Sequence, residues 1–228
     1  MGACTTCWAA LASGPSVRCR RCALPLADGA WDLGHSQGCC VRCAIRPFPF
    51  DRAIAAVSYD GLARRFLLRA KDGRRPELLL PLAGQLAAAV AVSGLADGVD
   101  GVVPVPSSPA ARWRRGFDPA RELARELARS AALRLLDRAL RKRGLARPAS
   151  KALGAPARWA GAVGSVAVRR KLPGATILLV DDVLTTGATA TACAAALRAA
   201  GAIEVRVAVW ARTPSPGSSF DRPPARGL

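Results

Sequence analysis

The sequence has few acidic residues, few aromatic residues and no long apolar run among its first residues. Its 228 residues include 16 Asp and Glu against 34 Lys and Arg, a formal net charge of +18, and 5% Phe, Trp and Tyr. Its first residues contain no basic segment followed by an apolar run, which predicts a cytoplasmic protein without a secretory signal. Because 51% of the residues are hydrophobic and the 21 Gly follow no G-X-Y period, wholly disordered and collagen-like chains are excluded.

The excess of basic residues has two interpretations. It favours a polyanionic partner, such as nucleic acid, a phosphorylated ligand or an anionic membrane surface. However, 30 of the 34 basic residues are Arg, and the chain is rich in Ala and Gly, a pattern that a GC-rich genome imposes whatever the function. Charge alone leaves both interpretations open.

One uncharged run, from Leu78 to Ala96, is about as long as a membrane span requires. It is rich in Ala and is interrupted by a Pro, a Gln and a Ser. Its large apolar side chains recur at steps of three and four residues, which predicts the buried face of a soluble helix and no membrane insertion. These side chains are Leu79, Leu82, Leu86 and Val90.

Seven of the eight cysteines fall within the first 43 residues. They form three CxxC pairs and one extra position: Cys4 and Cys7, Cys19 and Cys22, Cys40 and Cys43, and Cys39. A two-residue gap lets both thiolates reach one ion, and two such pairs complete the tetrahedral shell that zinc prefers. The last two pairs are 17 residues apart, which is the spacing of a zinc ribbon. We therefore predict a structural zinc ribbon over residues 1–45, with these ligands: Cys19, Cys22, Cys40 and Cys43.

Other roles for these cysteines are less well supported. Disulfides are uncommon in a chain without a secretion signal, and a redox pair would need a CxxC that opens a helix after a strand. Cys39 is an alternative ligand, and His35 is interpreted as a loop residue. Cys4 and Cys7 are left without a second CxxC pair with which to bind a metal. One explanation is that such a pair once lay upstream of the first residue.

Strand and helix patterns alternate from about Phe48 onward. This alternation predicts an α/β domain over residues 46–212, with a mostly parallel sheet and flanking helices. The predicted strands are 53–59, 99–105, 175–180 and 203–209, and the predicted helices are 62–71, 79–92, 119–135 and a segment that ends near residue 200. The basic stretch 138–170 is expected to be a mobile loop or hairpin, and residues 213–228 a flexible tail.

The predicted strand 175–180 delivers two carboxylates, Asp181 and Asp182, to its end, where a polar loop and a helix N-terminus follow. Ligands of open α/β sheets bind at the carboxyl ends of strands. Adjacent carboxylates can accept hydrogen bonds from vicinal ribose hydroxyls, and a helix N-terminus with Thr hydroxyls can hold a phosphate. The loop is neither a Walker P-loop nor a dinucleotide fingerprint. Asp and Thr are also ordinary turn residues, but the whole pattern predicts a phosphosugar site.

The string VDDVLTTGAT over residues 180–189 resembles the binding motif of type I phosphoribosyltransferases, which hold phosphoribosyl pyrophosphate (PRPP). With the CxxC pairs, FDRAIAAVSYDG, VVPVP and RWRRGFDPARELA, the chain resembles the ComF family of bacterial phosphoribosyltransferase-like proteins from about residue 4 to residue 212. The resemblance implies a type I phosphoribosyltransferase-like fold with an N-terminal zinc ribbon.

The resemblance also implies a set of site residues, with magnesium accompanying PRPP. The ribose hydroxyls would contact Asp181 and Asp182. The 5′-phosphate would lie in a loop formed by Thr185, Thr186, Gly187, Ala188 and Thr189. The pyrophosphate loop would comprise Pro104, Val105, Pro106 and Ser107. The catalytic cations near the phosphates would be Lys71, Arg112 and Arg115.

The sequence departs from the ComF pattern in two places. The usual GFNQ has Asp118 and Pro119 in place of its two amides, and Ser150 and Gly161 replace a Gln and an Asn further along the chain. Amides in these loops could orient an acceptor or close over PRPP. The resemblance therefore implies PRPP binding but leaves turnover open.

Three functions agree with these observations. The first is an enzyme that transfers the phosphoribosyl group from PRPP to an unidentified acceptor. The second is an accessory that binds single-stranded DNA or other nucleic acid, because the resembled family is linked to natural competence, DNA uptake and its machinery. Its aromatic contacts would be Trp113 and Trp159, which flank basic runs. The third is a sensor of PRPP or nucleotides with a degenerate site.

Overall fold

The structure is a computed structural model that describes residues 8, 11, 17–26, 38–72, 75–143 and 164–214. Its main sheet has four strands: Arg52–Ser58 (β1), Gly101–Pro104 (β2), Thr176–Leu184 (β5) and Glu204–Arg212 (β6). All four are parallel and lie in the order β1-β6-β5-β2. Parallel neighbours require crossover connections, which here contain helices. The predicted mostly parallel α/β fold is confirmed.

Helices cover both faces of this sheet. Six α-helices are described: Val41–Ile45 (α1), Gly61–Asp72 (α2), Leu79–Ser93 (α3), Pro109–Arg115 (α4), Pro119–Ser130 (α5) and Ala188–Ala199 (α6). Helices α2, α3 and α5 share one apolar cluster with Leu178 and Val180 of β5. Helix α6 shares the other cluster with Ile177 and Leu179, together with the cysteines near the N-terminus. β5 is therefore buried on both faces, as its continuous apolar run predicts.

Helix α3 carries the uncharged run. With the preceding turn it forms Pro76–Ser93, the one stretch of the described chain that is long and apolar enough, by length and composition, to cross a membrane. The four side chains predicted to form a buried face are all in the core: Leu79, Leu82, Leu86 and Val90. Between these contacts, Gln85 Oε1 accepts a hydrogen bond of 3.0 Å from Nε1 of the buried Trp210 of β6. The helix thus packs its apolar face on the sheet.

The helix predicted over 119–135 is shorter, because α5 ends at Ser130. Ala132 has a φ of +52°, a left-handed conformation that interrupts a helix. The chain then runs beside β2, where Val102 N donates to Arg134 O at 2.8 Å and Leu136 N donates to Val102 O at 2.7 Å. Pairing with the sheet edge overrides the helical periodicity in this segment.

β5 is longer than predicted. It does not stop at Val180 but continues through both aspartates to Leu184, because β6 pairs with it along this length. Asp181 lies opposite Val209, and Leu184 lies opposite Arg212. The two aspartates therefore belong to a strand rather than to a loop.

The basic stretch 138–170 contains a short antiparallel hairpin of Leu140–Lys142 (β3) and Val166–Val168 (β4). This agrees with the hairpin alternative, while residues 144–163 lie outside the described residues, together with Ser150, Trp159 and Gly161. The predictions for His35, Cys4, Cys7 and the end of the tail also fall outside them.

Candidate functional site

Four cysteines near the N-terminus form one buried cluster. Their sulfur atoms all lie within 4.8 Å of one another, and the group consists of Cys19, Cys22, Cys40 and Cys43. Cys40 ends the segment that leads into α1, and Cys43 lies within that helix. Cys39, the alternative ligand, is half-buried and lies outside this group. The structure thus brings together the four predicted ligands.

The geometry of the cluster suits zinc. Four sulfurs about 2.3 Å from a tetrahedral ion are separated by about 3.8 Å, and Cys22 Sγ lies 3.7 Å from Cys40 Sγ. Hydrogen bonds among the four thiols lower the pKa of Cys19 and raise the pKa of Cys22 and Cys43, which shows that these sulfurs interact directly with one another. Four sulfur ligands would close the coordination shell, so the chemistry of this donor set is structural.

The two aspartates lie near the carboxyl end of β5, between β2 and β6. Successive side chains of a strand point to opposite faces. Asp182 falls on the face covered by α2, where it forms an ion pair with Lys71 Nζ. Asp181 Oδ1 accepts a hydrogen bond of 2.8 Å from the N–H of Asp182. Burial and the charge of Asp182 raise the pKa of Asp181 to about 8.

The loop after β5 is shaped by Gly187, which has a φ of +82° and a buried backbone. A Cβ at this position would lie 2.5 Å from Cε1 of Phe48, so only glycine fits. Ala188 N donates to Thr186 Oγ1 at 3.4 Å, and α6 begins at Ala188. Thr185 and Thr189 are exposed on either side. The predicted phosphate loop is therefore a tight turn with exposed hydroxyls at a helix N-terminus.

The loop predicted to bind pyrophosphate leaves the adjacent strand β2. Val105 N donates to Val180 O at 2.8 Å, one residue before Asp181. Ser107 donates to the buried carboxylate of Asp118 from its hydroxyl at 2.9 Å and from its N–H at 3.4 Å. Asp118, one of the departures from the ComF pattern, thus ties this loop to the start of α5.

The predicted cations occupy different surroundings. Lys71 joins the aspartates through its ion pair, whereas Arg112 and Arg115 lie on α4, beyond the pyrophosphate loop. Arg112 is exposed, and Arg115 is half-buried with its Nε lacking a hydrogen-bond partner in the described structure. Trp113, between them, is 90% exposed.

Sequence reasoning missed three residues that contact the phosphate loop. These are Arg42 in α1, Phe48 before β1 and Arg212 at the end of β6. Arg42 and Phe48 lie more than 130 positions from this loop in the sequence, and no local pattern indicates their contacts. The CxxC spacing places Arg42 between two predicted zinc ligands, but it does not indicate that Arg42 contacts the phosphate loop.

The chain is similar to a protein family and to several known proteins. A family model described as the phosphoribosyl transferase domain matches residues 113–226. DNA utilization protein YhgH of Salmonella typhi is 29% identical over 233 residues, covering 93% of this chain and 91% of the relative. The same protein of Escherichia coli K12 is 28% identical with equal coverage. A structural comparison finds the purine phosphoribosyltransferase from Pyrococcus horikoshii Ot3, with 15% identity, a TM-score of 0.36 and coverage of 58% of this chain and 82% of that one.

A parallel sheet with an acidic pair and a Thr/Gly loop at its carboxyl end defines a protein of the phosphoribosyltransferase class. The family model covers half of the chain, and the chain belongs to the phosphoribosyl transferase domain family. The similarity to the YhgH proteins and the cysteine cluster confirm the predicted resemblance to the ComF family.

Proposed function

We propose that this protein binds PRPP with Mg²⁺ at the carboxyl end of its sheet and transfers the phosphoribosyl group to an acceptor. The observation that carries the proposal is the convergence of three predicted elements on β5. Asp182 pairs with Lys71, the Thr/Gly loop follows Leu184, and the pyrophosphate loop is hydrogen-bonded to Val180. PRPP has a ribose with phosphates at both ends. The two carboxylates would face the ribose, and the two loops, which leave neighbouring strands, would each face one of the phosphate groups.

Each element has a separate role in this proposal. Asp181 and Asp182 accept hydrogen bonds from the ribose hydroxyls, and residues 185–189 hold the 5′-phosphate through N–H and hydroxyl donors. Residues 104–107 and Lys71 hold the pyrophosphate with Mg²⁺, while Arg112 and Arg115 supply further cations that stabilise its departure. Zinc in the four-cysteine cluster stabilises residues 1–45, and residues 46–212 form the transferase-like domain.

Calorimetric titration of the zinc-loaded protein with PRPP and Mg²⁺ tests the proposal. We expect micromolar binding that is lost in the double variant Asp181→Ala and Asp182→Ala. The control is Asp97→Ala, which removes an exposed carboxylate before β2, at the opposite end of the sheet. Retained binding in the double variant would refute the site, and absence of binding in the unmodified protein would refute the function.

A second function, binding of single-stranded nucleic acid during DNA uptake, has one specific observation in its favour. The exposed Trp113 stands between Arg112 and Arg114 on α4, and base stacking beside basic side chains is how proteins hold single strands. The name of the YhgH relatives refers to DNA utilization. A cytoplasmic location would agree with this role.

Titration of labelled oligothymidylate at several salt concentrations tests this function. The exposed residues Arg169, Arg170 and Lys171 follow β4 at the end of the basic stretch 138–170, which is the expected electrostatic footprint of a nucleic acid. Reversing their charge is expected to weaken binding and to reduce its salt dependence. Trp113→Ala should weaken binding without changing the salt dependence. Reversal of Arg125 and Arg129, which are already ion-paired on α5, provides the control.

A further inference from the structure

Arg212 is a buried arginine that joins the cysteine cluster to the phosphate loop. It is 4% exposed. Its Nε donates to Cys22 O at 3.0 Å, and one terminal nitrogen donates to Leu184 O at 2.8 Å and to Thr185 O at 2.5 Å. The same terminal nitrogen donates to Thr213 O at 2.9 Å. Among the described residues no carboxylate pairs with Arg212, and its charge is satisfied by these backbone carbonyls and by the neighbouring Cys22 side chain. Burial of a guanidinium is costly without such bonds, which ties the side chain to this arrangement.

Two further contacts continue along the same loop. Arg42, which lies between the ligands Cys40 and Cys43, donates to Thr186 O at 3.1 Å. Its guanidinium stacks 4.9 Å over the ring of Phe48, and that ring fills the space beside Gly187. Four consecutive loop residues, from 184 to 187, therefore contact the ribbon or the residues attached to it.

These contacts orient the backbone of the loop. In a planar trans peptide the C=O and the following N–H point in opposite directions. Since the carbonyls of residues 184–186 are held toward Arg212 and Arg42, the N–H groups of residues 185–187 face away from the ribbon. In the described structure these N–H groups donate no hydrogen bond. They are the donors that a phosphate at this loop would use.

We propose that the metal-bound ribbon is a positioning element of the phosphate loop and that Arg212 is its central positioning residue. This inference rests on the proposed PRPP site. The cysteines touch no ligand, yet loss of the metal frees the Cys22 carbonyl and the Arg42 helix and so loosens the loop. By thermodynamic reciprocity, a ligand at the loop also tightens the hold of the ribbon on its metal.

The test compares Arg212→Met with Arg206→Met. Both arginines extend from β6 and donate to carbonyls, but Arg206 bonds Leu95 O and Asp97 O at the opposite end of the sheet. In Arg212→Met we expect PRPP binding to weaken by about tenfold, with pyrophosphate binding unchanged. Hydrogen exchange at Thr191 and Thr213, whose N–H groups donate to Gly187 O and Leu184 O of the loop, should accelerate without ligand, and zinc should transfer faster to a chelator. Arg42→Met, at an exposed position, should have the same effects by a smaller factor. It keeps the inference testable if Arg212→Met does not fold.

The outcomes separate the inference from the proposed function. Unchanged hydrogen exchange and PRPP affinity in folded, zinc-loaded Arg212→Met or Arg42→Met would overturn the inference, as would an equal effect of Arg206→Met. If the unmodified protein binds no PRPP while the Arg212 variant still exchanges faster at Thr191 and Thr213 and loses zinc faster, the coupling stands and the PRPP assignment fails.

Discussion

Lys71 of α2 forms an ion pair with Asp182 of β5, and both side chains are largely buried. The lysine therefore neutralises one of the two carboxylates that we assign to the ribose, on the side facing α2. A ligand that brings hydroxyls to Asp182 and phosphates to Lys71 would satisfy both charges at once. This makes the pair a pre-formed contact point between the ribose and pyrophosphate parts of the proposed site.

Lys71→Met should weaken PRPP and pyrophosphate binding by more than about tenfold, because the phosphate oxygens lose a cation. It should also lower the free energy of unfolding by about 1 kcal/mol, since Asp182 loses its ion-pair partner. Calorimetric titration and urea unfolding measure the two effects. Lys171→Met, at an exposed lysine, is the matched control, and equal affinities in the two variants would contradict the assignment of Lys71.

The pH dependence of stability should reveal Asp181. The pKa of its carboxyl is raised from 3.8 to about 8, so the folded protein holds a proton that the unfolded chain loses above about pH 4. This group therefore makes the folded state less stable as the pH rises from about 4 to about 8. Asp181→Asn removes this dependence, and the Tm of the unmodified protein should fall relative to that of the variant between pH 5 and pH 8. Parallel curves for the two proteins would contradict this assignment, while Asp97→Asn serves as the control.

The strand that carries these aspartates shows how far sequence reasoning reaches. The apolar run of β5 was predictable because burial on two faces requires it. The acidic pair stands out because carboxylates suit the ribose hydroxyls of the sugar phosphate that we propose as the ligand. The end of the strand was not readable, since it depends on β6 continuing to pair as far as Arg212. The same limit explains α5, whose periodicity continues beyond Ser130 while β2 draws the chain into an extended conformation.

The cysteine cluster was predictable because two CxxC pairs contain its geometry locally. Its docking against the phosphate loop was not predictable, because Arg212 and Cys22 are 190 positions apart. A buried arginine that forms no ion pair with a carboxylate in the described structure follows no sequence pattern. Long-range polar contacts of this kind are where the structure adds most to the sequence.

Gly187→Ala should lower the stability of the protein by distorting the phosphate loop. Gly187 and Gly98 both have left-handed backbones, with φ of +82° and +67°, but only at Gly187 would a Cβ meet another side chain. We expect Gly98→Ala to cost about 1 kcal/mol of unfolding free energy through backbone strain, and Gly187→Ala roughly 2–4 kcal/mol because it also overpacks Phe48. Urea unfolding tests the difference. Similar losses in the two variants would show that the contact with Phe48 is unimportant.

Cysteine replacement should separate ligands from bystanders. Cys43→Ser should lose bound zinc and lower the Tm, because three sulfurs leave the tetrahedral shell incomplete. Cys39→Ser should keep one zinc ion per chain, since Cys39 lies outside the cluster. Elemental analysis of the purified variants measures both. Zinc loss in Cys39→Ser, or retention in Cys43→Ser, would mean that the ligand set is wrong.

Asp118→Asn should strengthen pyrophosphate binding. Asp118 accepts two hydrogen bonds from Ser107 and so holds the pyrophosphate loop, but it does so with a negative charge beside an anionic ligand. An amide keeps the hydrogen bond from the Ser107 hydroxyl and removes the repulsion between the carboxylate and the anionic ligand. Because solvent and salt screen this repulsion, we expect pyrophosphate affinity to rise by only about a few-fold, and mainly at low salt. Asp118→Ala removes the tether as well and should weaken binding. Titration of the two variants with pyrophosphate and Mg²⁺ at two salt concentrations measures these effects, with Asp137→Asn as the control. If the asparagine and alanine variants both weaken binding to the same extent, the carboxylate itself is required for binding. The aspartate that replaces the amide of the ComF pattern would then be an adaptation of this site rather than a loss.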